Sequence, residues 1–281
     1  MQNSLSGLEE SREMKRGIRS TIIRLYRALA ANKRCRKLNE LLFDCAIRGL
    51  GILNYENAHL TGERHFVEKV LPRFVAQHSP ITVVDVGANE GTYEDLIISR
   101  FKSARCVCVE PHPVTFAILK ARLASRCTLF NCALGVQSGT VTLYDRADED
   151  GSQHATMYPE VITSLYRQPV TMHEVPVRTL DEIADMLKLS RIDLLKIDTE
   201  GHELEVLHGA RKLLAAGLIR VLHIEFNEMN VFSRVFFRDF RELLSRHTAY
   251  RMLPSGIIPI SDSPLASELF AFQNVVFVPN W

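Results

Sequence analysis

At 281 residues, 46% of them hydrophobic, the chain is long enough to bury a sizeable core in one main domain plus an extension, so no second catalytic domain is needed. A formal net charge of +1 argues against a nucleic-acid binder that works through a global positive field. The six cysteines show no metal-ligand spacing, and Cys106 and Cys108 share one strand face; they read as buried thiols of a reducing compartment.

Residues 1–78 read as a helical N-terminal extension and residues 79–281 as the main domain. Between Arg12 and Lys37, ten Lys and Arg residues accompany a single acid, Glu13, interleaved with Ile18, Ile22, Leu25, Tyr26 and Leu29. This is the pattern of a basic amphipathic helix, either solvated and packed on the domain or in peripheral contact with an anionic membrane. No transmembrane span and no secretory signal stand out, so a cytoplasmic location is expected, peripheral at the membrane if the helix binds lipid.

The main domain opens on VVDVGANEG, residues 83–91. Ile81, Val83, Val84 and Val86 form the apolar run of a central parallel strand, Gly87 and Gly91 punctuate a turn, and Thr92–Phe101 has helical spacing. Free amides at such a helix start would face a polar ligand over the turn. A dinucleotide fingerprint requires three glycines in G-x-G-x-x-G; the spacing here is G-x-x-x-G. Asp85, in the turn, would repel a diphosphate and attract a ligand carrying a cationic ammonium group, as S-adenosylmethionine does. The next strand, around Cys106–Val109, ends in Glu110 and Pro111. An acid there can accept hydrogen bonds from ribose hydroxyls, which fits NAD and S-adenosylmethionine equally.

A helix over Val114–Leu123, a strand over Thr128–Cys132 and a short strand over Thr140–Tyr144 follow. Arg146–Thr171 shows no clear period; it contains Gly151, Ser152, Gln153, His154 and Tyr158 and reads as an acceptor loop or lid. The capping box Thr179–Glu182 starts a helix to about Leu189, and Ile192–Ile197 is a strongly apolar strand. A helix over Leu204–Ala216, a strand over Leu218–Phe226, a helix over Phe232–Ser245 and closing strands at Tyr250–Leu253 and Leu269–Val278 complete the chain, the last pair able to form an antiparallel edge. The alternation implies an α/β fold: a parallel sheet with helices on both faces. Ligands of such sheets bind at the carboxyl ends of the strands, where Asp85, Glu110, Asn131, Asp198 with Glu200, and Glu225 with Asn227 converge. Strand-end acids also cap helices, and Glu225 and Asn227 suit that role equally well.

The segments VVDVGANEG, VEPHP, NCALG, VRTLDEI and LLKIDTEGHELEVLHGA, in this order and spacing, resemble the FkbM family of S-adenosylmethionine-dependent methyltransferases over about residues 80–226. The resemblance implies a Rossmann-like, seven-stranded class I methyltransferase sheet, S-adenosylmethionine as donor and a hydroxyl of a sugar, glycolipid or other natural product as acceptor. It further implies that Asp85, Gly87, Ala88, Asn89, Glu90 and Gly91 cradle the methionine portion. Glu110, followed by Pro111, would hold the ribose, and Asn131 and Ala133 would lie beside the adenine. His112 stands where the family commonly has asparagine.

Methyl transfer from a sulfonium chiefly demands alignment of acceptor, methyl and sulfur. An aliphatic hydroxyl also needs a base, for which Asp198, Glu200, His202 and His154 are the candidates. No metal is required by this scheme, although Asp198, Glu200 and Glu225 could instead hold a divalent ion that lowers the acceptor's pKa. Two other classes are a nicotinamide oxidoreductase, which would want the third glycine, and a noncatalytic membrane-binding protein resting on residues 12–37.

Overall fold

Successive residues of a strand point to opposite faces of its sheet, and in a computed structural model of the chain the central strand divides its valines accordingly. The structure describes residues 17–75, 80–148, 151–152 and 154–280. Val84 and Val86 pack with Leu195, Leu207 and Phe240 on one face. Val83 packs with Leu194, Ile97 and Leu119 on the other. Helices thus cover both faces, which is why the central strands read as near-continuous apolar runs.

The strands are β1 (Thr82–Val86), β2 (Arg105–Val109), β3 (Cys127–Phe130), β4 (Ala133–Leu134), β5 (Gly139–Arg146), β6 (Val170–Arg178), β7 (Ile192–Ile197), β8 (Ile219–Phe226), β9 (His247–Leu253), β10 (Gly256–Pro259) and β11 (Gln273–Pro279). The large sheet runs β10-β9-β11-β8-β7-β1-β2-β3. Its β3, β2, β1, β7 and β8 are parallel, whereas β11 lies antiparallel between β8 and β9. This is the expected seven-stranded sheet with one more strand, β10, added as a hairpin to β9. The chain moves from β1 out to β3 on one side and resumes at β7 on the other, so a topological switch point lies at the carboxyl end of β1.

The region read as one short strand and a long loop contains a second sheet, β4-β6-β5. Its β6 escapes an apolar-run test because Pro176 interrupts it and only Val175 on it is fully buried. The helix expected over Leu204–Ala216 is split into Glu203–His208 and Arg211–Ala215. Gly209 lies at the break, where a Cβ would stand 2.1 Å from the Gly135 carbonyl oxygen. The helix expected over Phe232–Ser245 is likewise Met229–Ser233 and Phe237–Leu243, with Arg234 left-handed between them. The capping box forms as read: Glu182 N donates to Thr179 Oγ1 and Thr179 N to Glu182 Oε2.

The chain divides into two compact units, Met1–Gly49 and Leu50–Trp281, rather than at the expected 78/79. The reason is hydrophobic: Phe66, Val67, Val70 and Leu71 of the helical segment 63–73 belong to the same core as Ile81 and Val83 of the main domain. In the first unit, helices occupy residues 17–30 and Arg36–Gly49. Ile18, Ile22, Leu25, Tyr26 and Leu29 are exposed. Residues 12–16 of the basic stretch, residues 76–79 around the expected boundary and Gln153 lie outside the described residues. Among the described residues no helix is long and apolar enough to cross a membrane.

Candidate functional site

Beyond Val86 the chain turns through Gly87 (φ +84°) and Asn89 (φ +48°) into the helix Thr92–Arg100. A Cβ at Gly87 would sit 1.8 Å from the carbonyl oxygen of Asp198, and one at Gly91 would strike Leu119 and Leu123. Both glycines therefore let the turn pack against the end of β7 and the neighbouring helix, rather than making room for a ligand directly. The turn is tied to the end of β2: Asn89 N donates to Glu110 Oε2 (2.9 Å) and His112 N to Glu110 Oε1 (2.8 Å). The Glu110 carboxyl is thereby fixed, with accepting capacity left on both oxygens. Burial pushes its pKa up to about 7.

Glu110 opens onto a cavity of about 710 Å³, within the usual range for a small-molecule site. Gly87, Asn89 and Pro111 line it too, and Val86, Val109, Ala133 and Leu134 supply apolar wall. S-adenosylmethionine fits this donor set: a fixed carboxylate for ribose hydroxyls, apolar wall for the adenine, and beyond β1 a group of carboxylates suited to a cation.

That group comes from the other side of the switch point. Asp198, Glu200 and Glu225, after or on β7 and β8, each offer a carboxylate oxygen within 4.8 Å of the others. They could hold a divalent ion or an organic cation. Burial, then repulsion from Asp198 and Glu200, holds the Glu225 pKa well above the usual carboxylate range. Lys196 Nζ offsets part of this charge, 3.0 Å from Asp198 Oδ2 and 3.5 Å from Asp85 Oδ1.

Glu200 is a non-glycine residue at φ +53°, a conformation that costs on the order of 1–3 kcal/mol and recurs at functional sites. In this pose its Oε1 lies 3.5 Å from His154 Nδ1, and its Oε2 accepts from Asn227 Nδ2 at 3.3 Å. Burial raises the Glu200 pKa, and His154 works against the rise. The His154 ring stacks on Tyr166 at 4.8 Å between centroids. His202 also lines the cavity, 3.3 Å through Nδ1 from the Tyr158 hydroxyl, and burial pulls its pKa down to about 4. All four expected catalytic candidates therefore meet in one cavity.

Several expected cofactor ligands are placed otherwise. Asp85 is 1% exposed and does not line the cavity. It lies on the Val83 face of β1, against Lys196 and near Glu94, and burial raises its pKa. Lys196 stands between it and Asp198, which does line the cavity. Ala88, Glu90, Gly91 and Asn131 are also absent from the lining. Asn131 Nδ2 instead donates to the carbonyls of Glu110 and Pro111 (2.9 and 3.0 Å), fixing the Glu110 turn from behind. The aromatic lining was not foreseen: Tyr55 meets Phe272 edge to face at 6.0 Å, and Tyr166 backs His154. The first two are more than 200 residues apart in the chain, and no local pattern pairs them.

Comparison with known proteins follows this geometry. A family model described as "Methyltransferase FkbM domain" matches residues 85–252. Methyltransferase sdnD of Sordaria araneosa is 31% identical over 156 residues, covering 45% of this chain and 59% of that protein. The 2-O-methyltransferase NoeI of Sinorhizobium fredii is 22% identical over 188 residues, covering 62% of this chain and 75% of the relative. The chain thus spans a little over half the length of the first curated relatives it matches. Among solved structures, the FkbM methyltransferase of Methylobacillus flagellatus KT aligns at a TM-score of 0.45 with 18% identity, over 79% of this chain and 52% of that one.

Proposed function

The chain belongs to the FkbM methyltransferase family, and on that premise we propose that it transfers the methyl group of S-adenosylmethionine to a hydroxyl oxygen of a sugar, glycolipid or other natural product. The observation that carries this reading is the cavity itself, which joins the Glu110 carboxyl on one side of β1 to the Glu200–His154 pair on the other. NoeI, by its name a 2-O-methyltransferase, supports an oxygen acceptor.

The donor, when bound, supplies a methyl group on a sulfonium whose departure leaves a neutral thioether. The residues' work is to hold the reactants and manage one proton. Asn89 and Glu110 orient the ribose end, and Gly87 keeps the turn against Asp198. Asp198 favours positive charge where the sulfonium would lie, and Glu225, whose pKa is raised by burial and by Asp198 and Glu200, would join it as a carboxylate once a cation is bound. Glu200, its carboxyl kept basic by burial, and His154 beside it would take the acceptor's proton as the carbon–oxygen bond forms, a contribution of roughly 10²–10⁴ in rate. His202 would stay neutral at physiological pH and accept a hydrogen bond from the acceptor.

The direct test is incubation with S-adenosylmethionine bearing a ¹³C-methyl group and a panel of hydroxylated glycans, glycolipids and polyketides, read by mass spectrometry and NMR. A labelled O-methyl product supports the reading; label found only on nitrogen or carbon refutes the oxygen assignment. A second reading concerns the first unit, whose exposed Ile18, Ile22, Leu25 and Leu29 stand among Arg19, Arg24 and Arg27. This combination suits peripheral binding to anionic lipid and would bring the enzyme to a membrane-borne acceptor.

A further inference from the structure

Asp145, at the end of β5, is fully buried and lies outside the catalytic group just described. Five protein groups converge on it, among them Arg146 N, which donates to Oδ1 at 2.7 Å. Gly151 N and Ser152 N donate to Oδ2 at 2.8 and 2.9 Å, Ser152 Oγ donates to Oδ1, and His112 Nε2 stands 3.4 Å from Oδ2. His112 is equally buried, at 1% exposure, and it belongs to the ribose turn, because its backbone amide holds Glu110 Oε1. The same Asp145 carboxylate therefore grips the start of the loop that carries His154 and touches the residue that fixes the ribose acid.

Two more contacts join these segments. Thr115 Oγ1 donates to the Gly151 carbonyl at 3.4 Å, and Gly151, at φ +91°, sits so close to Val114 that a Cβ there would come within 3.2 Å of its side chain. At the other end of the loop, Thr156 exchanges backbone hydrogen bonds with Tyr144, and its Oγ1 donates to the Glu200 carbonyl at 2.8 Å. The loop segment bearing His154 is thus tied by its start to the ribose turn and by its end to Glu200.

We propose that Asp145 and His112 are positioning residues that couple the donor's ribose site to the acceptor loop, so that a loaded donor fixes where His154 meets Glu200. The proposal rests on the donor site argued above. The coupling has a physical source. Ribose hydroxyls donating to Glu110 would hold the carboxylate ionised and tighten its bonds to the Asn89 and His112 amides. His112 cannot then move without breaking its contact with Asp145. Without the donor the bond between Glu110 and the His112 amide is looser and passes less restraint to the loop start, which keeps its other bonds to Asp145 and Thr115.

The test is amide hydrogen exchange on the full chain, free and saturated with S-adenosylhomocysteine, for wild type and His112→Phe, which keeps an aromatic ring against His173 and removes the imidazole nitrogen that faces Asp145. In wild type the ligand should slow exchange at Asn89, Gly151 and Ser152 by about tenfold or more. In His112→Phe the slowing should persist at Asn89 and vanish at Gly151 and Ser152. A purely structural His112 would alter the free protein and leave the ligand-dependent difference intact, and that result overturns the proposal. Equal slowing at 151–152 in both proteins overturns it as well. If no site responds to the ligand, the donor reading itself fails. The loop anchor is then judged on the free protein, where Ser152→Ala and Asp145→Asn should each speed exchange at Gly151; unchanged exchange in both refutes the anchor.

Discussion

The affinity for donor should depend on pH through Glu110. Its carboxyl accepts two backbone amides at 2.8 and 2.9 Å, which favour the ionised form, yet burial outweighs them and raises the pKa from an ordinary 4.5 to about 7. For an acid with a raised folded pKa the sign is definite: the free protein is relatively most stable below about pH 4.5, and it loses roughly 3 kcal/mol from this group as pH rises through 7. Ribose hydroxyls that donate to the carboxylate favour ionisation, so donor binding should be strongest above pH 7. Between pH 8 and pH 6 the ionised fraction falls about tenfold, and the dissociation constant for S-adenosylhomocysteine should rise by up to that factor. Isothermal titration at several pH values, in buffers of different ionisation enthalpy, measures both the affinity and the proton released. Glu110→Gln should bind about 10- to 100-fold more weakly at pH 8, since its amide must set an N–H against a backbone N–H, and its pH dependence should be flat over this range. A flat profile in wild type, or an unchanged slope in Glu110→Gln, would refute the assignment of the ribose site.

Glu200→Gln and His154→Ala should each keep S-adenosylhomocysteine affinity and lower turnover by about 10²–10⁴, and the double variant should lose little more than either alone; additive losses would mean that the two act separately. Gly87→Ala should unfold at least several degrees below wild type in calorimetry, because its Cβ would meet the Asp198 carbonyl at 1.8 Å; an unchanged melting temperature would contradict the turn geometry. Asp85→Ala should lose on the order of 3 kcal/mol of stability to denaturant by stripping a partner from buried Lys196. Abolished donor binding at full stability would instead restore Asp85 as a direct ligand. Arg24→Glu with Arg27→Glu should release the protein from phosphatidylserine vesicles in flotation at low salt, and undiminished flotation would remove the lipid reading.

Much of the framework was legible because the strands of this sheet are buried on both faces, so β1, β2, β7 and β8 read as apolar runs that end in polar residues. The candidate cavity was legible for the same reason: Glu110, Asp198 and Glu200 follow strand ends, and strand ends at a switch point share a crevice. Asp85 shows where this shortcut stops. Period-two alternation puts it on the Val83 face, and the cavity-lining Val86 belongs to the other; only the register Asp85↔Lys196 reveals the cation that accommodates it. The boundary of the extension was hidden because helical spacing at Phe66, Val67, Val70 and Leu71 announces an amphipathic helix without saying which core receives it. Tyr55 and Phe272 illustrate the general limit, since contacts between distant segments leave no mark in the spacing of either.

The central claim is a donor site at the end of β1 that takes S-adenosylmethionine. The most direct measurement is isothermal titration of the full chain at pH 8 with S-adenosylmethionine, S-adenosylhomocysteine and NAD. Micromolar binding of the first two, weakened in Glu110→Gln and unaffected in Glu200→Gln, is the predicted result. Binding of NAD in their place, or binding of the first two that ignores Glu110, would contradict it.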